Sequence, residues 1–151
     1  MAGHLKPNMV PENKAFFFSG FSVSENNKVK SWAQAAGLTH VGIAWKDANF
    51  VNVKNYEDGN DPAKVAKFRD DFSAVFAQKS KGVAYIMIKG DGEPASSRTF
   101  ARAEFPQIKS VGEVTKIIKL PSSLLDENTR SVSEASGTQF WAKGDADPKF
   151  A

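Results

Sequence analysis

The chain has 151 residues, of which 41% are hydrophobic and 25% are charged, and it contains no cysteine. This length and composition fit one globular domain, and they exclude disulfide frames, thiol nucleophiles and cysteine-based zinc sites. No apolar run approaches the roughly 18 residues of a membrane span. The net charge of +3 is scattered, without the basic run typical of nucleic-acid binders. Two histidines, His4 and His40, are too few for a histidine-rich metal site, so we predict no bound metal.

The first 14 residues are polar and interrupted by prolines. We therefore expect an N-terminal arm at residues 1–14, followed by a single α/β domain at residues 15–151. The N-terminus lacks the apolar segment of a signal peptide, and the absence of cysteine suits a reducing compartment. A cytoplasmic protein is the expectation, with a disulfide-free secreted protein of the toxin type as the alternative.

The first elements along the chain form a strand–helix–strand pattern. The apolar run at residues 15–18 is typical of a strand buried on both faces, and Ser19-Gly20 ends it. Ser24 is the predicted N-cap of the following helix, and Gly37 is its predicted C′ residue. The apolar face of this helix consists of Val29, Trp32, Ala33 and Ala36. Residues 39–45 then predict a second strand.

A loop is predicted at residues 46–60, and Asp61-Pro62 is typical of a helix start, with Asp as N-cap and Pro at N1. The apolar face of this second helix consists of Val65, Phe68, Phe72, Val75 and Phe76. Gly82 is expected to close the helix. Residues 83–88 give the strongest strand prediction in the chain.

The rest of the chain predicts a turn, a short element and one more strand. The turn is at residues 90–94. A short helix at residues 100–105, ended by Pro106, is one interpretation, and an extended segment is the other. Residues 114–120 predict a strand, and the remainder is expected to be loop-like apart from the apolar pair Phe140-Trp141. Alternating strands and helices favour a mostly parallel sheet of about four strands, with helices packed on it.

Parallel α/β sheets bind ligands beyond the carboxyl ends of their strands. Three segments lie there: residues 18–21, the chain from Trp45 onward, and residues 90–99. Ser19 and Gly20 could present backbone N–H groups to a phosphate, although an ordinary strand-to-helix turn has the same residues.

Glu104 is a carboxylate in apolar company, next to Phe105 and near Phe100. Such surroundings raise the pKa of a carboxyl group and suit an acid that holds a polar ligand group. The alternative, which the residue pattern by itself favours, is a solvated Glu104 paired with Arg102 or Arg98.

Two further polar residues lie among apolar ones. Ser73 lies in the apolar stripe of the second helix, where its hydroxyl could face a ligand or bond to the carbonyl four residues earlier. His40 is expected to be packed and not catalytic.

Four segments, taken in order, resemble the ADP-ribosyl cyclase / NAD glycohydrolase family. Phe17-Phe18-Ser19 resembles the family's Phe-Trp-Ser, with Phe18 at the position of a pocket Trp. The segment from Ser73 to Ala77 resembles its Ser-x-x-Phe-Ala, with Arg69 where the family has a Trp. Thr99-Phe100-Ala101-Arg102-Ala103-Glu104 resembles Thr-Phe-Gly-x-Val-Glu, whose Glu is catalytic. Where the family has Thr-Leu-Glu, this chain has Thr39-His40-Val41, so it lacks the carboxylate of the Glu in that segment.

The resemblance covers about residues 15–120 and implies a cyclase-like α/β fold and cleavage of the nicotinamide–ribose bond of NAD. It implies a catalytic role for Glu104, with NAD as substrate and no separate cofactor. The residues that it places around the substrate are Phe18, Ser19, Arg69, Ser73, Thr99 and Phe100. The departures at Val41 and Arg69 leave two alternatives open: a non-catalytic nucleotide-binding or interaction module, and a toxin-like ADP-ribosyltransferase domain.

Overall fold

The computed structural model of the chain describes residues 10–43, 62–128 and 131–151. The loop predicted at residues 46–60 and the predicted N-cap Asp61 therefore lie outside the described residues. Of the expected N-terminal arm, only the end at Val10 and the four residues after it are described, and Val10 is buried in the core.

A four-stranded sheet organises the fold. Its strands are β1 (Phe16–Ser19), β2 (Gly82–Ile88), β3 (Val114–Leu120) and β4 (Thr138–Ala142), and they lie side by side in that order. The β1–β2 and β2–β3 pairs are parallel, whereas β4 runs antiparallel to β3. The predicted mostly parallel sheet of about four strands is confirmed.

Alternate residues of the parallel strands supply two separate cores. Phe17 and Ile86 contribute to the core on one face of the sheet, and Phe16, Tyr85 and Met87 contribute to the core on the other. This alternation follows from the period of two along a strand. Both faces of β2 are therefore buried, which explains its nearly continuous apolar sequence.

Helix α1 (Val23–Ala35) covers one face of the sheet with the predicted apolar residues Val29, Trp32, Ala33 and Ala36, all of which are buried. Its N-cap is Ser22, and the predicted cap Ser24 is wrong. The reason is a capping box, in which the Ser22 hydroxyl accepts from the Glu25 backbone N–H and the Glu25 carboxylate accepts from the Ser22 N–H.

After α1, the predicted strand at residues 39–45 is wrong within its described part. Thr39 alone pairs with Ala15, in an isolated parallel bridge. The Gly42 N–H then donates to Nδ1 of His40 at 3.0 Å, and a short 3-10 turn, Val41–Ile43, replaces the strand. This local side-chain bond competes with the strand ladder and ends it.

Helix α2 (Pro62–Gln78) packs on the opposite face of the sheet with Phe72 and Phe76, which are both buried. The side chains of Val65 and Phe68 lie outside the described residues. The prediction that Gly82 closes this helix is wrong, because the helix ends at Gln78 and Gly82 begins β2. Gly82 has a φ of 74°, a left-handed conformation that favours glycine.

A π turn (Phe100–Glu104) runs directly into helix α3 (Phe105–Val111). The extended interpretation of this segment is wrong, and so is a helix end at Pro106, since Pro106 lies in the first turn of α3, where proline is tolerated. A wider turn before a proline relieves the clash between its ring and the carbonyl four residues earlier. The C-cap of α3 is Gly112, which has a φ of 73°.

The apolar pair Phe140-Trp141, which the prediction set apart from the loop-like remainder, lies in strand β4. Beyond it, the Phe150 ring packs against Phe100 and Phe105. Backbone bonds join Ala151 to the segment before the π turn. None of the described helices is long and apolar enough to cross a membrane.

Candidate functional site

A cavity of about 420 Å³ lies beside β1, between α1, α2 and the π turn. The functional candidates that line it are Phe18, Arg69, Ser73, Thr99 and Glu104, together with Val41, Asn26 and Lys30. Residues that are far apart in the sequence therefore line one cavity.

Glu104 ends the π turn, a wide turn that is often found at functional sites. Only 6% of the residue is exposed, and no described residue makes a hydrogen bond or an ion pair with its carboxyl group. Burial, and after it the nearby charge of Asp70, raise the pKa of Glu104 to about 8. Glu104 is therefore mostly protonated at neutral pH and is available to a ligand.

Glu104 is buried and does not pair with Arg102, so the alternative of a solvated, paired Glu104 is wrong. The Arg102 guanidinium instead forms a bidentate ion pair with Asp70, at 2.7 and 3.1 Å, and donates to the carbonyl of Ser97 at 2.7 Å. This pair joins α2 to the π turn and holds Arg102 away from the buried carboxyl group.

Ser73 and Arg69 lie one turn apart on α2, and Thr99 precedes the π turn. Ser73 is buried, and among the described residues its hydroxyl has no hydrogen-bond partner, unlike the Ser80 hydroxyl, which donates to the Phe76 carbonyl. Arg69 is exposed and likewise has no ion pair in the described part of the chain.

A second cavity, of about 160 Å³, adjoins the first and shares Phe18, Asn26 and Thr99 with it. The other two predicted site residues, Ser19 and Phe100, line this smaller cavity and not the larger one. The two cavities together form a two-lobed site.

Lys30 and Asn26 line the larger cavity, and sequence reasoning missed both. They lie one turn apart on α1, outside its apolar face. Their only signal in the sequence is this spacing, which does not reveal what packs opposite the helix.

His40 is buried, as predicted, and is not among the residues that line either cavity. Burial, and after it the charge of Lys30, lower the pKa of His40 to about 4. The folded state resists protonation of this ring. The contribution of His40 to the free energy of unfolding is therefore fully present above the unfolded pKa of 6.5, and it is lost as the pH drops toward 4.

We expect this loss to reach about 3 kcal/mol near pH 4. His40→Asn keeps an acceptor near the position of Nδ1 but does not titrate in this range. Urea unfolding of both proteins between pH 4 and 7 measures the difference, and parallel pH profiles would contradict the assignment.

Among the residues that the structure describes, no three His, Cys, Asp or Glu side chains cluster so as to hold a metal ion. The site is therefore described by its buried acid, its hydroxyls, its cations and its aromatic wall.

No family model matches this chain, and no curated protein matches it by sequence. Solved structures do resemble it. A structure of Aplysia cyclase complexed with the substrate NGD and the product cGDPR superposes with a TM-score of 0.54 at 13% identity, over 74% of this chain and 49% of that chain. An ADP-ribosyl cyclase complexed with N1-cIDPR gives a TM-score of 0.51 at 15% identity, over 74% of this chain and 50% of that chain.

A mutant form of an ADP-ribosyl cyclase gives a TM-score of 0.53 at 13% identity, over 74% of this chain and 50% of that chain. The present chain spans about half the length of these structural neighbours. At such low identity the likeness concerns the fold, and it gives the described part of the chain an α/β fold similar to that of the ADP-ribosyl cyclases.

Proposed function

We propose that this protein cleaves the bond between nicotinamide and ribose in NAD, with Glu104 as the catalytic residue and with no further cofactor. One observation carries the proposal: a buried carboxyl group without a partner among the described residues lies in a cavity with Ser73 and Thr99, on a scaffold similar to that of the cyclases. Unpaired buried acids are costly, and they occur mainly where function requires them.

The proposed reaction breaks the C–N glycosidic bond, and its electron pair goes to the pyridinium nitrogen, so neutral nicotinamide leaves. Positive charge develops on the ribose carbon, and the Glu104 carboxylate stabilises it. Water then adds at that carbon, and its proton passes to solvent. An incoming cationic pyridinium favours the ionised form of Glu104, so substrate binding is accompanied by release of the proton that burial holds there.

The other residues of the two lobes have supporting roles in this proposal. The hydroxyls of Ser73 and Thr99 bind ribose or phosphate oxygens in the larger cavity, where Phe18 offers an aromatic face to the flat base. Ser19 and Phe100 contact the remainder of the dinucleotide in the smaller cavity. Both serines are buried, which makes them suitable as fixed contacts.

The test is incubation with NAD, with chromatography to quantify nicotinamide release. Glu104→Gln is expected to lower kcat/KM by at least about 10²–10³-fold, because the amide cannot supply the negative charge. Glu113→Gln, at an exposed position just after the end of α3, is the matched control and is expected to keep full activity. Absence of turnover, or equal rates in Glu104→Gln and the parent, would contradict the proposal.

A non-catalytic nucleotide-binding module is the second candidate, because Val41 lines the cavity where the resembling family has a carboxylate. Calorimetry with NAD and ADP-ribose distinguishes it, since a binding module retains both ligands without turnover. Transfer of labelled ADP-ribose to added protein would instead favour the transferase alternative.

A further inference from the structure

Two cations of the larger cavity have no partner in the described part of the chain. Lys30 of α1 and Arg69 of α2 both line the cavity, and no described residue forms an ion pair with either. Neighbouring cations on the same helices are paired, since Lys28 binds Asp126 and Lys67 binds Asp71. Among the described cations of α1 and α2, the two without partners are thus the two that line the cavity.

The cavity as a whole carries positive charge. Glu104 is the only acidic residue among the described ones that line it, and burial keeps this group mostly protonated at neutral pH. Positive potential in a cleft attracts an anionic ligand group and repels a cation that has no counter-charge.

The two cations share the cavity with an aromatic side chain. Nζ of Lys30 lies close to Gly42, since a β-carbon added to this glycine would be 3.9 Å from that nitrogen. The aromatic ring of Phe18 lines the same cavity. A cavity lined by an aromatic ring and by two cations without partners in the described part of the chain suits a flat ring that carries an anionic substituent.

Resting on the proposed function, we propose that the preferred substrate is a dinucleotide whose leaving base bears a carboxylate, as nicotinic acid does, and that Arg69 and Lys30 bind this carboxylate. A guanidinium matches a carboxylate through two parallel hydrogen bonds, and the ammonium adds a third contact. Cleavage returns the electron pair of the C–N bond to the ring nitrogen, so the base leaves as the nicotinate anion. Water supplies the hydroxyl on ribose, and the remaining proton goes to solvent.

The main experiment compares kcat/KM for nicotinic acid adenine dinucleotide and for NAD. The parent protein is expected to prefer the carboxylate-bearing dinucleotide by about 10- to 100-fold, the usual range for one charge-assisted contact. Arg69→Gln and Lys30→Gln are each expected to reduce this preference. Lys28→Gln on α1 and Lys67→Gln on α2 are matched controls at exposed positions and are expected to retain it.

A substrate phosphate offers the same anionic chemistry to these two cations, and the experiment separates the two sources. If the cations bind phosphate, Arg69→Gln weakens both dinucleotides equally and their ratio stays constant, which overturns the proposal. A parent protein without preference also overturns it, because both dinucleotides carry the same phosphates.

Binding to Glu104→Gln, measured by calorimetry, makes the test independent of catalysis. If nicotinic acid adenine dinucleotide binds more tightly than NAD but the parent turns over neither, the proposed function is rejected and the preference for the carboxylate-bearing base is kept. Turnover of both dinucleotides at equal kcat/KM would keep the proposed function and reject the preference. Absence of binding of either dinucleotide rejects both.

Discussion

Replacing Glu104 with glutamine is expected to stabilise the free protein at neutral pH while strongly reducing the proposed cleavage of NAD. The pKa of Glu104 rises from 4.5 to about 8 on folding. Below pH 4.5 both states hold the proton, and this group does not change stability. Between pH 4.5 and 8 the unfolded chain releases the proton and the folded chain keeps it, so stability falls as the pH rises. The cost reaches about 3 kcal/mol near pH 7.

Glutamine does not titrate, so Glu104→Gln removes this pH-dependent loss. Urea unfolding at several pH values should show a difference between variant and parent that grows from pH 4.5 to 8 and then levels off. Glu113→Gln serves again as the exposed control, with no comparable trend expected. A constant difference across this range would show that the carboxyl group is not protonated in the folded state.

Phe100→Ala is expected to cost about 3–5 kcal/mol of unfolding free energy, the usual range for removing a buried phenyl ring. Phe100 is 1% exposed, and its ring packs against Phe17, Phe105, Phe140 and Phe150. The cavity would open beneath the π turn, so ligand affinity should fall as well. Denaturant unfolding and calorimetry with ADP-ribose measure the two effects.

The matched comparison is Phe150→Ala, because this ring is only half-buried and belongs to the same cluster. Its loss should cost less than the loss of Phe100. Equal costs would mean that the cluster relaxes around either deletion.

The parallel strands and the buried face of α1 could be predicted because each depends on a local apolar pattern. β4 could not, since its sequence Thr-Gln-Phe-Trp-Ala shows no clear alternation and its position depends on pairing with β3. The cap of α1 was misplaced by two residues because Ser22 and Ser24 are both good caps. Only the reciprocal bond with Glu25 selects between them.

The site was partly accessible to sequence reasoning. The environment of Glu104 depends on whether Arg102 pairs with it or with Asp70. Because Asp70 belongs to another helix, the sequence around Glu104 does not show which pair forms. The position of Lys30 in the cavity could not be predicted either, because that cavity is formed by α2 and the π turn as well as by α1.

The parallel pairing of β1 with β2 has a consequence for how the chain acquires this structure. Phe16 pairs opposite Tyr85, so the first strand waits for a partner that follows two helices later in the sequence. Such non-local pairing closes a large loop, and the entropy cost of closing it comes before the contacts that compensate for that cost. The pairing therefore slows folding. The phenylalanine run of β1 stays open to other chains during that interval, and refolding yield should therefore fall as protein concentration rises.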